Sequence, residues 1–365
     1  MTDINVSLKI AFIGCGRVAS LLEDDPLRGK PCTHAGAFSK IEGVLIDAAC
    51  DIDSERLKTF GEKWGIPENN RFIDYKQLLA EHIPDVLVIS TWTESHAEIT
   101  LYAINRGVKT ILCEKPVASN LKDAKEMMDT AKKNNAILII NHERRWDVRY
   151  HHIKKIIESG EAGEIRTVVA NVLTGEPRKD WHADLEKVGG GPLLHDGTHL
   201  MDMLRYYLGD AEWVVGKINR KRFNVGIEHT AHAMIYFPEH DTVAFVEGGG
   251  RRHYFNFEID IQCSRGRFVF GNEYWKKYIS KESRRYTGFT ELEPAIFDPV
   301  SGENCWISVA RDAINAAKEK SKPRSDIVDG YKAMELVFAV YESAVRNGEK
   351  IYLPLKNNRH PLGNL

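Results

Sequence analysis

Ile10-Ala11-Phe12-Ile13-Gly14-Cys15-Gly16-Arg17-Val18-Ala19, residues 10–19, is the stretch that decides the fold. Four apolar residues read as a buried strand, and the next six form a turn of the type GxGxxA. Gly14 permits a tight turn and Gly16 lets the backbone come close to a pyrophosphate. The amides around Arg17 and Val18, opening the next helix, point at its negative charge. Such a turn is common by itself, and here its weight comes from its place at the head of an alternating series. Up to about Glu143 the runs LIDAACD, DVLVIST, TILCEKP and AILIINH alternate with IDSERLKTFGEKWG, ESHAEITLYAINRG and SNLKDAKEMMDTAKKN, whose apolar residues recur at helical spacing. That alternation predicts βαβ units and a parallel sheet covered on both faces, an α/β Rossmann domain over residues 1–141.

An acidic residue is expected at the end of the second strand, about 20 residues past the glycines. Asp51 stands 35 positions after Gly16. Pro26, Gly29 and Pro31 mark Leu21 to Thr33 as a loop inserted before the helix Thr33 to Lys40 resumes, and without it Asp51 falls in place. Its carboxylate then accepts hydrogen bonds from an adenosine ribose and repels a 2′-phosphate, which favours NAD over NADP. The competing role is that of a helix N-cap, for which Asp53 and Ser54 also qualify.

Beyond Asn141 the pattern changes. A helix from Val148 to Ser159 leads into EIRTVVANVLTG, and another, near Pro192 to Leu208, comes after Gly189-Gly190-Gly191. Then AEWVVGKI, TAHAMIYF, TVAFVEGG, FNFEIDIQ and GRFVFGN succeed one another without intervening helices, which predicts an α+β domain with a largely antiparallel open sheet over residues 142–356. Ile327, Tyr331, Met334, Phe338, Tyr341 and Val345 share one face of a closing helix near 325–347, a packing stripe able to fold back on the first domain. Residues 357–365 read as a loose tail.

Two domains suit a length of 365 residues. A net charge of −2 gives no electrostatic reason to expect nucleic acid or a membrane surface. Ile10 to Ile13 is too short for a signal peptide and nothing approaches a membrane span. The six cysteines are scattered without a CxxC pair, which points to reduced thiols in the cytoplasm.

Nearly the whole chain resembles the Gfo/Idh/MocA oxidoreductases, named after glucose-fructose oxidoreductase and inositol dehydrogenase. The resemblance rests on the turn at Gly14, on Thr91 to His96 after the fourth strand, and on Glu114-Lys115-Pro116 after the fifth. It continues with Arg144-Arg145-Trp146-Asp147, the three glycines 189–191 leading to Gly197-x-His199-x-x-Asp202, and Ile351-Tyr352-Leu353-Pro354. It implies NAD as cofactor, held by Gly14, Gly16, Arg17, Val18, Asp51, Thr91, Trp92, His96, Glu114, Lys115 and Asn141, and a homodimer or homotetramer paired through the open sheet. It also implies that Lys115 contacts both the nicotinamide side and the substrate, with its bond to Pro116 cis, and that His199 is the general base.

The chemistry wants these residue types. Oxidising a secondary alcohol sends a hydride to nicotinamide and a proton to a base, and an imidazole titrating near neutrality suits the proton. A fixed cation steadies the developing alkoxide. The sequence departs from many relatives at His195, where they carry an aspartate that assists the base. His195, four positions before His199, either replaces that aspartate as proton partner or exchanges roles with His199. Two histidines at that spacing also resemble half of a zinc site, but no third ligand stands at a recognisable spacing, so no metal is expected.

Arg144, Arg145 and Trp181, with His142, Arg178, Lys179 and His182 nearby in sequence, offer aromatic faces and donors suited to a hydroxylated ring, a sugar acid or a sugar nucleotide. Arg178 and Lys179 read equally as solvated loop charges. Two other functions compete: a non-catalytic NAD(P)-binding regulator, against which the pairing of Lys115 with His199 argues, and an NAD-dependent glycosidase, which would release a glycone without net NADH.

Overall fold

In the computed structural model, residues 7–175, 189–220, 226–250, 252–356 and 360–364 are described. They divide between two units, Met1–Asp147 with Gly302–Tyr331, and Val148–Ser301 with Lys332–Leu365. In the first, the apolar runs become β1 (Leu8–Ile13), β2 (Val44–Cys50), β3 (Arg71–Phe72), β4 (Val86–Ile89), β5 (Thr110–Cys113) and β6 (Ile137–Ile140). All pair in parallel, in the order β3-β2-β1-β4-β5-β6. The order reverses between β1 and β4, and ligands of such sheets bind beyond the carboxyl ends of the strands at that switch.

The expected insertion is present and its mechanics are visible. A helical turn begins at Gly16, whose carbonyl accepts from Ser20 N at 3.0 Å. The chain then leaves through a 3-10 turn at Leu21–Asp24 and returns as helix α1 (His34–Phe38). His34 N and Ala35 N donate to the carbonyls of Val18 and Ala19, each at 3.0 Å. Helical bonding thus carries on across the excursion as though it were cut out. Glu23 clamps the base of the loop: its Oε2 accepts from Cys32 N at 3.1 Å and from the Thr33 hydroxyl at 2.7 Å, and Thr33 in turn caps Gly36 N.

The crossover helices start where short polar side chains cap them. Asp53 accepts from the amides of Glu55 and Arg56 to open α2 (Ser54–Trp64), which stops at Gly65 in the left-handed conformation, φ 72°. Asp74 opens α3 (Tyr75–Glu81); α4 (Thr93–Asn105) starts after Trp92, and Asn120 opens α5 (Leu121–Lys133). With Asp53 as the cap of α2, Asp51 is left for other work.

Phe12, Phe38, Phe60, Val88, Leu112 and Ile139 make the core of this unit together with Val309, Ala310, Ala313 and Ile314. The last four belong to the helix Cys305–Glu319, so a segment far beyond the last strand completes the Rossmann core. The unit therefore reaches past residue 141 to Asp147 and takes back Gly302–Tyr331. Trp146 Nε1 donates to Asp312 at 2.9 Å across that seam.

The second unit opens with α6 (Val148–Glu158) and is built on a nine-stranded sheet. Its strands are β7 (Ile165–Leu173), β8 (Trp213–Asn219), β9 (Thr230–Phe237), β10 (Thr242–Gly249), β11 (Asn256–Cys263), β12 (Gly266–Gly271), β13 (Trp275–Glu282), β14 (Thr290–Ala295) and β15 (Ile351–Tyr352). The order is β14-β13-β12-β11-β7-β10-β9-β8-β15, antiparallel except for β7 against β10. Alternation along the strands buries Val168, Ala170, Val172, Ala244, Val246, Ile259 and Ile261. The opposite face carries the row Val215, Met234, Phe245 and Val169, in which Met234 and Phe245 are exposed. Of the stretch read as a tail, Leu362 is buried and His360 Nε2 lies 2.5 Å from Gly189 O, so these two residues are packed. Among the described residues no helix is long and apolar enough to cross a membrane.

Candidate functional site

At the end of β1, Gly14 has φ 91°, and a Cβ there would lie 2.6 Å from the carbonyl carbon of Ser90. Both the backbone angle and the close approach of the β4 end demand glycine. Gly14 N donates to Cys50 O at 2.8 Å and Ser90 Oγ donates to Gly14 O at 2.8 Å, so the turn is tied to the strands on either side. Gly16 is the opposite case: a Cβ there would meet nothing within 4 Å, leaving that side of the turn open for a phosphate. Arg17 is exposed and Val18 half-buried beside it.

Asp51 is buried at the end of β2. Oδ2 accepts from Cys15 N at 2.8 Å and Oδ1 from Asp53 N at 2.9 Å, with the Arg56 guanidinium 3.3 Å away. The carboxylate thus braces the glycine turn from the position at which a ribose partner is wanted. Burial, and then the Asp51 charge, pushes the Cys15 thiol well up, so this cysteine is an inert small side chain.

The segment after β4 is pinned by His96, which is buried, with Nδ1 2.9 Å from Pro116 O and Nε2 3.2 Å from Thr91 O. Burial lowers its pKa despite those carbonyls, so the ring is neutral and has one N–H for the two of them. It joins the Thr91 loop to the loop carrying Lys115. Ser95 Oγ donates to Thr91 Oγ1 at 2.7 Å, and Trp92 is exposed.

At the end of β5, Glu114 is buried among donors. Oε1 is 2.7 Å from His34 Nε2 and 2.7 Å from Asn141 Nδ2, while Oε2 accepts from Lys115 N at 3.2 Å. Burial alone would raise its pKa; the hydrogen bond and charge of His34, the Lys115 charge and the Asn141 amide outweigh it and hold Glu114 low. Asn141, 2% exposed, keeps a buried Oδ1 that receives no hydrogen bond among the described residues. The Lys115–Pro116 bond is cis. In the next segment Glu143 pairs with Arg144 at 2.7 Å, and burial raises the Glu143 pKa against the pull of Arg144 and Lys115. Arg145 is buried, with its guanidinium on Asp329 at 3.0 Å and Arg324 O at 3.0 Å. Both of these partners belong to the first unit.

An open Gly16, a buried acid at the β2 end and an orphaned amide oxygen at the β6 end together suit a dinucleotide laid across the strand ends. Gly16 leaves room for a pyrophosphate, Asp51 could take a ribose, and Asn141 Oδ1 could accept from a donor such as a carboxamide.

In the second unit the glycine run leads into α7 (Pro192–His195) and α8 (Gly197–Leu208). Asp196 between them has φ −89° and ψ −32°, a right-handed helical conformation, so His195 and His199 remain four positions apart along a nearly continuous helical path. His199 is buried and His195 half-buried. The start of α7 is held by Glu228, which is wholly buried and accepts from Gly191 N at 2.7 Å and Leu193 N at 2.8 Å. Burial raises its pKa although both amides oppose the rise. A Cβ at Gly191 would stand 2.2 Å from Glu228 O, and one at Gly190 2.7 Å from the Tyr341 hydroxyl, so the glycines are where this packing needs them.

Sequence reasoning does not single out His34, Glu143 or Glu228. A clue to His34 lies in its place at the head of the resumed helix, one turn past the glycines once the insertion is removed. Glu228 has no local signal. Trp181, with Arg178, Lys179 and His182, lies outside the described residues. Among the described residues no three His, Cys, Asp or Glu side chains gather as metal ligands.

Residues 8–142 match a family model described as oxidoreductase family, NAD-binding Rossmann fold, and residues 150–269 match the GFO/IDH/MocA C-terminal domain. The chain is 30% identical over 361 residues to a D-apiose dehydrogenase of Rhizobium rhizogenes, covering 94% of this chain and 97% of that protein. It is 27% identical over 203 residues to a myo-inositol 2-dehydrogenase of Thermotoga maritima, 56% of this chain and 55% of that one, so the match spans about half the length of this relative. The fold is that of the WlbA dehydrogenase from Bordetella pertussis, solved with NADH and UDP-GlcNAcA, at a TM-score of 0.77 and 22% identity over 96% of this chain and 100% of that one.

Proposed function

Because the chain belongs to the Gfo/Idh/MocA oxidoreductases, with an NAD-binding Rossmann domain at its head, we propose that it transfers a hydride between a secondary alcohol of a sugar, polyol or sugar derivative, which becomes the ketone, and nicotinamide. NAD, when bound, supplies the hydride acceptor. Lys115 stabilises the negative charge that grows on the alcohol oxygen, and His199 takes the hydroxyl proton, with His195 as its proton partner in place of an aspartate. The observation that carries this reading is the cluster at the β5 and β6 ends. A buried, ionised Glu114 fixes the backbone of Lys115, and the Asn141 amide beside it has an acceptor still to fill.

Gly14, Gly16, Arg17 and Val18 hold the pyrophosphate and Asp51 the adenosine ribose. Thr91, Trp92 and His96 shape the cofactor wall, and Glu114 and Asn141 receive the nicotinamide end. Arg144 and Trp181 bind substrate; Arg145 supports them from its pair with Asp329. Exposed Met234 and Phe245 on the open sheet face favour pairing of copies into a homodimer or homotetramer. Six free thiols suit the reducing cytoplasm.

The test is a structure with NAD soaked in a panel of sugars, polyols and nucleotide sugars, with NADH formation followed on the same panel. NAD lying over the Gly14 turn with its nicotinamide beside Lys115, and absorbance growth on at least one panel member, are expected. Density for NAD elsewhere, or turnover of a glycoside without net NADH, would end this reading.

A further inference from the structure

His34 is 2% exposed, and its Nε2 lies 2.7 Å from a carboxylate that is itself buried. A carboxylate keeps its charge inside a protein only where donors replace the water it has lost. Glu114 has three donors. The backbone amide of Lys115 comes from its own loop, Asn141 Nδ2 comes from the end of β6, and His34 Nε2 comes from α1, the helix resumed after the insertion. Of these His34 is the strongest influence, both as donor and by charge. The helix bearing it is locked by Glu23 on Thr33, and the imidazole meets the Trp306 ring edge-on at 5.1 Å. The ring therefore has one place to be, and that place is on Glu114.

Resting on the reading that Glu114 lies at the nicotinamide end, we propose that His34 is a positioning residue that keeps Glu114 an anion, and that this anion makes the protein favour the oxidised, positively charged nicotinamide over the neutral reduced one. The other titratable groups that feel Glu114 are Lys115, His96, Glu143 and Cys113. Lys115 alone among them is a cation, and an ionised Glu114 offsets that charge where a protonated Glu114 would not. Replacing His34 by a side chain that cannot donate leaves burial to win, and Glu114 then takes up a proton as pH falls toward the acid side of neutral.

The experiment measures Kd for NAD+ and for NADH, by fluorescence and competition, between pH 6 and 8. The full chain is compared with His34→Leu, His34→Met, His34→Gln and Glu114→Gln, and circular dichroism checks that each is folded. In His34→Leu, or in His34→Met if leucine disturbs the packing on Trp306, the preference for NAD+ over NADH should fall about tenfold or more, a close unit-charge interaction being worth about fivefold in water and up to about a thousandfold near a protein surface. The fall should be deeper at pH 6 than at pH 8. His34→Gln, which still presents an N–H, should recover much of the preference. Glu114→Gln should lose the preference at every pH. A purely structural role for His34 would weaken both nucleotides alike and leave their ratio flat with pH. If Glu114→Gln shifts the ratio but the folded His34 variants do not, the proposal falls and the cofactor site stands. If Glu114→Gln leaves the ratio unchanged, Glu114 is not beside the ring and both fall.

Discussion

Asp51 offers the sharpest separation of a structural role from a ligand-binding one, because its two oxygens already hold two backbone amides. Asp51→Ala leaves Cys15 N and Asp53 N, bonded at 2.8 and 2.9 Å, without their acceptor. An orphaned buried donor costs about 1–3 kcal/mol, so the pair costs roughly 2–6 kcal/mol. The ion pair to Arg56 adds little, since that side chain is 38% exposed and such pairs contribute about 0–1 kcal/mol. For a domain of about 150–250 residues each kcal/mol lowers Tm by roughly 2–4 °C, so a fall on the order of 10 °C is expected. Asp51→Asn keeps one acceptor oxygen and should lose about half as much. A carboxylate that also accepts from the ribose adds ~1.5–3 kcal/mol to NAD binding, which is about 10- to 150-fold in Kd. NADP should gain relative to NAD in both variants, because the charge opposing a 2′-phosphate is gone while Arg56 remains. The assays are thermal melting and titration with the two nucleotides. An unchanged melting temperature in Asp51→Ala would refute the bracing of the glycine turn. A lowered melting temperature with an unchanged NAD-to-NADP ratio would refute the ribose contact.

His199→Ala should lower turnover by ~10²–10⁴-fold while NADH still binds, checked by steady-state rates beside a fluorescence titration; full turnover would remove His199 from the mechanism. Lys115→Met should likewise depress turnover in steady-state rates, and its backbone amide stays available to Glu114. Glu228→Ala should destabilise the second unit by roughly 2–6 kcal/mol in urea denaturation, since Gly191 N and Leu193 N both lose a buried acceptor, and Glu228→Gln by less. The folded pKa of Glu114 lies below its ordinary value of 4.5, so its stabilising contribution is complete above that value and is lost as pH falls through the folded one. Wild type and Glu114→Gln should therefore differ in stability at pH 7 and converge in acid; a constant difference would contradict an ionised Glu114.

Much of the first unit was readable locally. Strands such as Val86–Ile89 are continuous apolar runs, and Pro26, Gly29 and Pro31 betray the inserted loop by residue type alone. Asp53 rather than Asp51 caps the second helix, a choice that residue type leaves open and hydrogen-bond geometry settles. What escaped depends on partners distant in sequence. His34 meets Glu114 across 80 positions, and Glu228 meets Gly191 across 37. Arg145 suggests a substrate clamp by residue type, and its pairing with Asp329, 184 residues on, has no local signal. The return of Val309 to Ile314 into the Rossmann core is equally invisible, since a helix's apolar stripe says that it packs without saying on what.

The carbonyl of Val18 accepts from residue 34 where an uninterrupted helix would offer residue 22. Such a splice uncouples length from placement: material can be gained or lost in the detour while the glycine turn upstream and the imidazole downstream hold station. Leu27, 94% exposed at its far end, is accordingly a natural point of attachment for a dye or an affinity handle, and sister sequences are free to differ there without disturbing the chemistry on either side.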